Sequence, residues 1–118
     1  MSPETVEFVI TAADEDWLGG FVSALVADRI IACGNVAGPI RSIYRWQGEI
    51  EDQTEFRATL HTRTSHVPLI VERADREHPY EVPCVIATPI TAGNPAYLAW
   101  VLAETAAALD SGSTVVVP

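Results

Sequence analysis

Apolar and polar positions alternate at the start of the chain, where Val6, Phe8 and Ile10 share one face. This period of two predicts a strand over Thr5–Thr11. The period then lengthens. Trp17, Phe21 and Leu25, with Leu18, Val22 and Val26, recur at i, i+4 and predict a helix running to about Ile30. Asp14 stands at its N-cap, and Glu15 and Asp16 occupy the first turn, where acids meet the positive end of the helix dipole. Gly19 and Gly20 each weaken such a helix by about 1 kcal/mol relative to alanine, which asks for a closely packed neighbour or a loose start. From Ile31 to Trp46 the apolar pattern is broken by Gly34, Gly38 and Pro39, so a bent or bulged strand, or two strand pieces, is expected. Gln47-Gly48 reads as a two-residue hairpin turn. On the return strand Phe56, Ala58, Leu60 and Thr62 face one way, and Glu55, Arg57, Thr59, His61 and Arg63 the other.

Thr64 or Ser65 can cap a second helix with the stripe Val67, Ile70, Val71 and Ala74, which must end by His78 because Pro79 restricts the residue before it. Val82–Ile90 reads as a short buried strand bracketed by Pro83 and Pro89, and Asn94-Pro95 opens a third helix to about Leu109. The order β-α-β-β-α-β plus a C-terminal helix predicts an α+β, ferredoxin-like domain over residues 1–110. Residues 111–118 form a tail, expected as an edge strand or as disordered chain. Tyr44 and Trp46, on one face of the hairpin, either complete the core of their own chain or wait for a second copy to cover them.

The 118 residues suffice for one domain. The formal charge is -9 and every basic side chain is arginine, so lysine Schiff-base chemistry is excluded. Such an acidic chain repels phosphate backbones, and no nucleic-acid partner is expected. Apolar runs such as Cys84–Ala87 fall far short of the roughly 20 residues that span a bilayer, so no membrane span is expected. Met1–Glu7 is acidic where a secretory signal is basic and then apolar, which points to a cytoplasmic protein. Cys33 and Cys84 lie far apart without Cys-x-x-Cys spacing and are expected as buried free thiols, while His66 is expected in solvent. No Ser-His-Asp pattern, phosphate-binding glycine loop or His-Glu-x-x-His motif is present, and a non-enzymatic protein is expected.

Several segments together resemble the CutA family of divalent-cation tolerance proteins. They are Thr11-Ala12 with Asp14, Ile31–Asn35, Tyr44–Gly48 with Ile50 and Glu55, Thr62-Arg63, His78–Pro83, and Gly93–Leu98 with Trp100. The resemblance implies a homotrimer in which the hairpin reaches across to a neighbour. It also implies a role in tolerance of divalent metal ions, copper among them, through weak binding of metal or a small ligand at inter-subunit clefts. A signalling or scaffold trimer like the PII regulators, acting on partner proteins, is the alternative. Copper binding in the family involves a histidine pair before the Pro-Tyr and a thiol on the first strand. Here the corresponding positions are Glu77 and Ile10, leaving His78 with Glu77 and Cys33 as the mixed metal site to look for. The resemblance gathers Tyr44, Trp46, Glu55, Arg63, Tyr80 and Glu81 around the inter-subunit cleft. Arg63 is expected to pair with Glu55 on the same strand face or across the subunit interface, and His61 stands where the family usually has lysine.

Overall fold

The computed structural model describes residues 3–107. The elements are β1 (Thr5–Ala12), α1 (Glu15–Ala27), β2 (Cys33–Trp46), β3 (Glu49–Arg63), α2 (Val67–Glu77), β4 (Val85–Pro89) and α3 (Pro95–Glu104). The expectations for residues 111–118, and for a third helix reaching Leu109, fall outside the described residues.

The strands form one antiparallel sheet in the order β2-β3-β1-β4, the split βαβ arrangement expected from the element order. One face of the sheet carries Phe8, Ile10, Ala58 and Leu60. These pack with Leu18 and Leu25 of α1 and Ile70 and Ala74 of α2 into a core whose members are nearly all inaccessible. Residues of the opposite parity face α3. Arg63 of β3 donates from Nε to Thr105 Oγ1 at 2.9 Å and also bonds the Leu102 carbonyl, fastening the end of α3 to the sheet.

Local chemistry explains the boundaries. Asp14 accepts a hydrogen bond from the Trp17 N–H at 3.1 Å, and Asn94 accepts from Ala96 and Tyr97, so both expected N-caps hold. A Cβ at Gly19 or Gly20 meets nothing within 4 Å, so no close neighbour among the described residues accounts for that pair. β2 is one strand with a register break between Ala37 and Ile40. Gly38 lies there at φ +147°, and a Cβ on it would stand 2.6 Å from Phe56 Cδ1, so only glycine suits the position. Gln47 and Gly48 both have positive φ, the combination that matches the twist of a two-residue hairpin.

Four expectations are corrected. Neither Thr64 nor Ser65 caps α2: Thr64 Oγ1 donates to the Pro3 carbonyl instead, and a 3-10 turn over Thr64–His66 leads into the helix. β4 is shorter than Val82–Ile90 and is not buried, because among the described residues it is an edge strand with a neighbour only at β1 and leaves Ile86 exposed. Cys84 is exposed and Cys33 only half-buried, since one precedes the edge strand and the other opens an edge strand.

The fourth concerns His66, which is buried and not solvated. Its Nδ1 donates to the Ile30 carbonyl at 2.8 Å, beside Thr62 Oγ1 bonded to the same oxygen. Burial pushes its imidazole below the ordinary value of 6.5, with the charge of Arg63 adding to the effect against the Ile30 bond. Below about pH 6.5 the unfolded chain therefore takes up a proton that the folded chain resists. Stability is full above that value and falls as pH drops toward the folded-state value. Urea unfolding at pH 7.5 and 5.5 is expected to show a loss that His66→Gln reduces; an unchanged loss in the variant would assign it to other groups.

β1 pairs with β3 only from Phe56 to Arg63, so Ile40–Trp46 and Glu49–Glu55 form a two-stranded arm with no third strand beside it among the described residues. Along this arm Ile43 and Ile50 are 61% and 69% exposed, and Tyr44 and Trp46 are 43% and 37% exposed. The aromatics therefore do not complete their own chain's core. A bare two-stranded ribbon is marginal in water, and this one carries an uncovered apolar surface.

Candidate functional site: an acidic aromatic cleft

At the base of the arm a cleft of about 760 Å³ opens between β2, β3, the end of β1 and the segment linking α2 to β4. Its walls include Thr11, Tyr44, Trp46, Glu55, Tyr80, Glu81 and Cys84, and none of its lining residues is basic. Tyr80 Oη donates to Glu55 Oε2 at 2.6 Å, and Glu55 is only 6% exposed. Burial and then the bond to the Glu55 carboxylate push the Tyr80 phenol well above its usual value, so it remains a donor throughout the neutral range. A buried carboxylate held by a neutral phenol, between aromatic faces and beside a second carboxylate, is a setting that attracts cations.

The loop carrying Tyr80 is positioned by His78. The Tyr80 backbone N–H donates to His78 Nδ1 at 3.0 Å, so the ring proton sits on Nε2, which donates to the Thr11 carbonyl at 2.8 Å. The ring lies edge-on to Trp17, with centroids 4.7 Å apart, and is tilted against Tyr80. Both nitrogens of this buried imidazole are thus engaged, and its place in the molecule is that of a clamp between β1 and the cleft loop.

Of the residues gathered by sequence for the cleft, Tyr44, Trp46, Glu55, Tyr80 and Glu81 all line it. Arg63 does not: it lies eight positions beyond Glu55, roughly 26 Å at the strand rise of about 3.3 Å per residue, and it binds α3, so it does not pair with Glu55 in its own chain. The set of His78, Glu77 and Cys33 is not brought together within one chain. Glu77 accepts from Arg73 Nε at 2.6 Å and from Arg76 at 3.5 Å. Cys33 pairs with His61 at the Glu7 end of β1, whereas His78 is bonded to Thr11 at the other end, roughly 13 Å along the strand. Thr11 and Cys84 are cleft residues that sequence reasoning missed. The position of Cys84 directly after the His78–Pro83 segment was the available signal.

A split βαβ sheet in this order, with a projecting hairpin and a cleft at its base, defines a ferredoxin-like α+β protein. Residues 6–104 match the family model described as CutA1 divalent ion tolerance protein. The chain belongs to the CutA family. It is 39% identical over 97 residues to the divalent-cation tolerance protein CutA of Thermus thermophilus, covering 82% of this chain and 94% of that one. To the mouse protein CutA it is 39% identical over 104 residues, 88% of this chain but 59% of the mouse protein's length. The solved structure of the divalent cation tolerance protein from Thermus thermophilus superposes with a TM-score of 0.83 at 38% identity, covering 86% of this chain and 98% of that one. These names specify no reaction. Among the described residues no helix is long and apolar enough to cross a membrane.

Proposed function

We propose that this chain acts as a homotrimer in divalent-cation tolerance, taking up a cation, copper included, in the cleft that each subunit completes for its neighbour. The observation that carries the reading is the lining of the cleft: two carboxylates, Glu55 and Glu81, a thiol, Cys84, and three aromatic side chains, with no basic residue among them. Carboxylate oxygen and thiolate sulfur are both donors a divalent metal accepts. Among the described residues, however, no three His, Cys, Asp or Glu side chains of one chain converge as a ligand set. A cation held in the cleft therefore draws its remaining ligands from water or from the neighbouring subunit, and binding depends on assembly. The apolar arm beside the cleft supplies the reason to assemble.

Light scattering is expected to give about three times the 12.8 kDa chain mass. Placing charge on the arm, as in Ile43→Asp with Ile50→Asp, is expected to yield monomer that also loses cation binding in a calorimetric titration. A wild-type protein that scatters as a monomer, or a trimer with no saturable uptake of copper or zinc, would defeat the proposal.

A further inference from the structure

Four side chains that the cleft does not use meet on the sheet face near α3. Cys33 begins β2, His61 is its cross-strand partner on β3, and Glu7 of β1 is the partner of His61 on the other side. Tyr97 joins them from the first turn of α3. Three adjacent strands and a helix thus place a thiol, an imidazole, a carboxylate and a phenol together by register.

Their contacts have a direction. His61 Nε2 lies 2.8 Å from Glu7 Oε2. His61 Nδ1 lies 2.6 Å from Tyr97 Oη, and Cys33 Sγ lies 3.1 Å from the same phenol oxygen and 3.7 Å from Nδ1. A neutral imidazole has one N–H, and an ionised Glu7 can only accept, so the ring proton belongs on Nε2. Nδ1 is then left with its lone pair toward the phenol and the thiol. The sequence of groups is carboxylate, base, nucleophile, which is the arrangement that activates a weak nucleophile by positioning a base beside it. The imidazole side chain is 20% exposed, Glu7 43%, and Cys33 half-buried, so the group lies at the surface of the single chain.

We propose that Cys33 is a reactive thiol, a nucleophile toward low-molecular-weight disulfides and other soft electrophiles, served by His61 as base through Tyr97 and positioned by Glu7. The Cys33 proton passes to the Tyr97 oxygen as the Tyr97 proton passes to His61 Nδ1, and Glu7 stabilises the resulting imidazolium. The thiolate attacks one sulfur of the disulfide, a bond forms between Cys33 Sγ and that sulfur, and the original S–S bond breaks. The departing thiolate recovers the proton from His61 along the same path, so one thiol and one disulfide become a mixed disulfide and a released thiol, with the incoming disulfide as oxidant. Tyr97 suits the relay. Burial, then the bond to Cys33 and the charges of Cys33 and Glu7, push its phenol up to about 12, so it stays protonated and donates to the sulfur once the thiol proton has left.

The test uses the full-length protein in its native assembly, with Cys84→Ser to leave one thiol and Cys33→Ser to leave the other. Iodoacetamide alkylation is followed by mass spectrometry, and exchange by the colour released from an aromatic disulfide. Near pH 7 Cys33 is expected to react at least about tenfold faster than Cys84, although Cys84 is the more exposed. His61→Gln is expected to slow Cys33 by roughly tenfold and Glu7→Gln by roughly threefold, with the differences closing above about pH 9, where hydroxide replaces the base. Tyr97→Phe keeps the aromatic packing and is expected to slow the reaction too. Circular dichroism and light scattering confirm that each variant keeps its fold and assembly. Cys33 reacting no faster than Cys84, or an effect of His61→Gln that is the same at every pH, would overturn the proposal. Fast alkylation without exchange would overturn the disulfide step.

Discussion

Replacing His78 by alanine is expected to lower the stability of the protein by about 3 kcal/mol, with a much smaller effect on cation uptake by the folded protein, arising only from the loosened cleft loop. The loss has two sources. The Thr11 carbonyl and the Tyr80 N–H are each left without the partner that the imidazole supplies, and a buried polar group without a partner costs about 1–3 kcal/mol. The ring also fills space between Trp17 and Tyr80, so its removal opens a cavity beside α1. Urea unfolding at one fixed protein concentration, needed because assembly contributes to stability, is the measurement. His78→Asn retains one polar contact at best and is expected to fall between. If His78→Ala unfolds like the parent but no longer binds copper, the histidine is a ligand, as the sequence pattern suggested, and the clamp reading fails.

That outcome matters because His78 shows where sequence reasoning stops. Its residue type and its place before Pro79-Tyr80 were visible, and so was the end of α2 at Glu77. What decides the role of an imidazole is which atoms occupy its two nitrogens. Here one is a carbonyl 67 positions away in the chain, and no periodicity encodes it. Elements held by local chemistry were legible: the Asp14 and Asn94 caps, the Gln47-Gly48 turn, the alternation along β3 and the break at Gly38. Five of the cleft residues, Tyr44, Trp46, Glu55, Tyr80 and Glu81, were reached through the family resemblance, whereas Thr11 at the end of β1 joins the wall only through the fold. Arg63 stands apart from Glu55 within one chain because alternation assigns a face but not a position along the strand. Glu55 and Arg63 share a parity, but Glu55 lies near the middle of β3 and Arg63 at its end. The Cys33, His61, Glu7 and Tyr97 group could not be seen at all, since it depends on the register of β2 against β3 and of β3 against β1, and no spacing along the chain reveals register.

Glu55→Gln is the sharper test of the cleft, and its two expected effects point in opposite directions. In the protein without ligand the change is expected to be neutral or mildly stabilising. Glu55 is buried and belongs to none of the ion pairs among the described residues, its partner being the uncharged Tyr80 phenol. A glutamine amide oxygen can accept the same hydrogen bond without a buried charge. For a bound cation the change removes a charged contact from the one buried carboxylate of the cleft, about 2 kcal/mol, so copper or zinc affinity is expected to fall roughly 30-fold. Calorimetric titration and urea unfolding of the same preparation read both quantities. A residue kept only for packing would lose stability on substitution and leave affinity alone. One kept for a cation at the expense of stability does the reverse. If Glu55→Gln destabilises the trimer and leaves affinity intact, the cleft is an assembly contact and the cation belongs elsewhere.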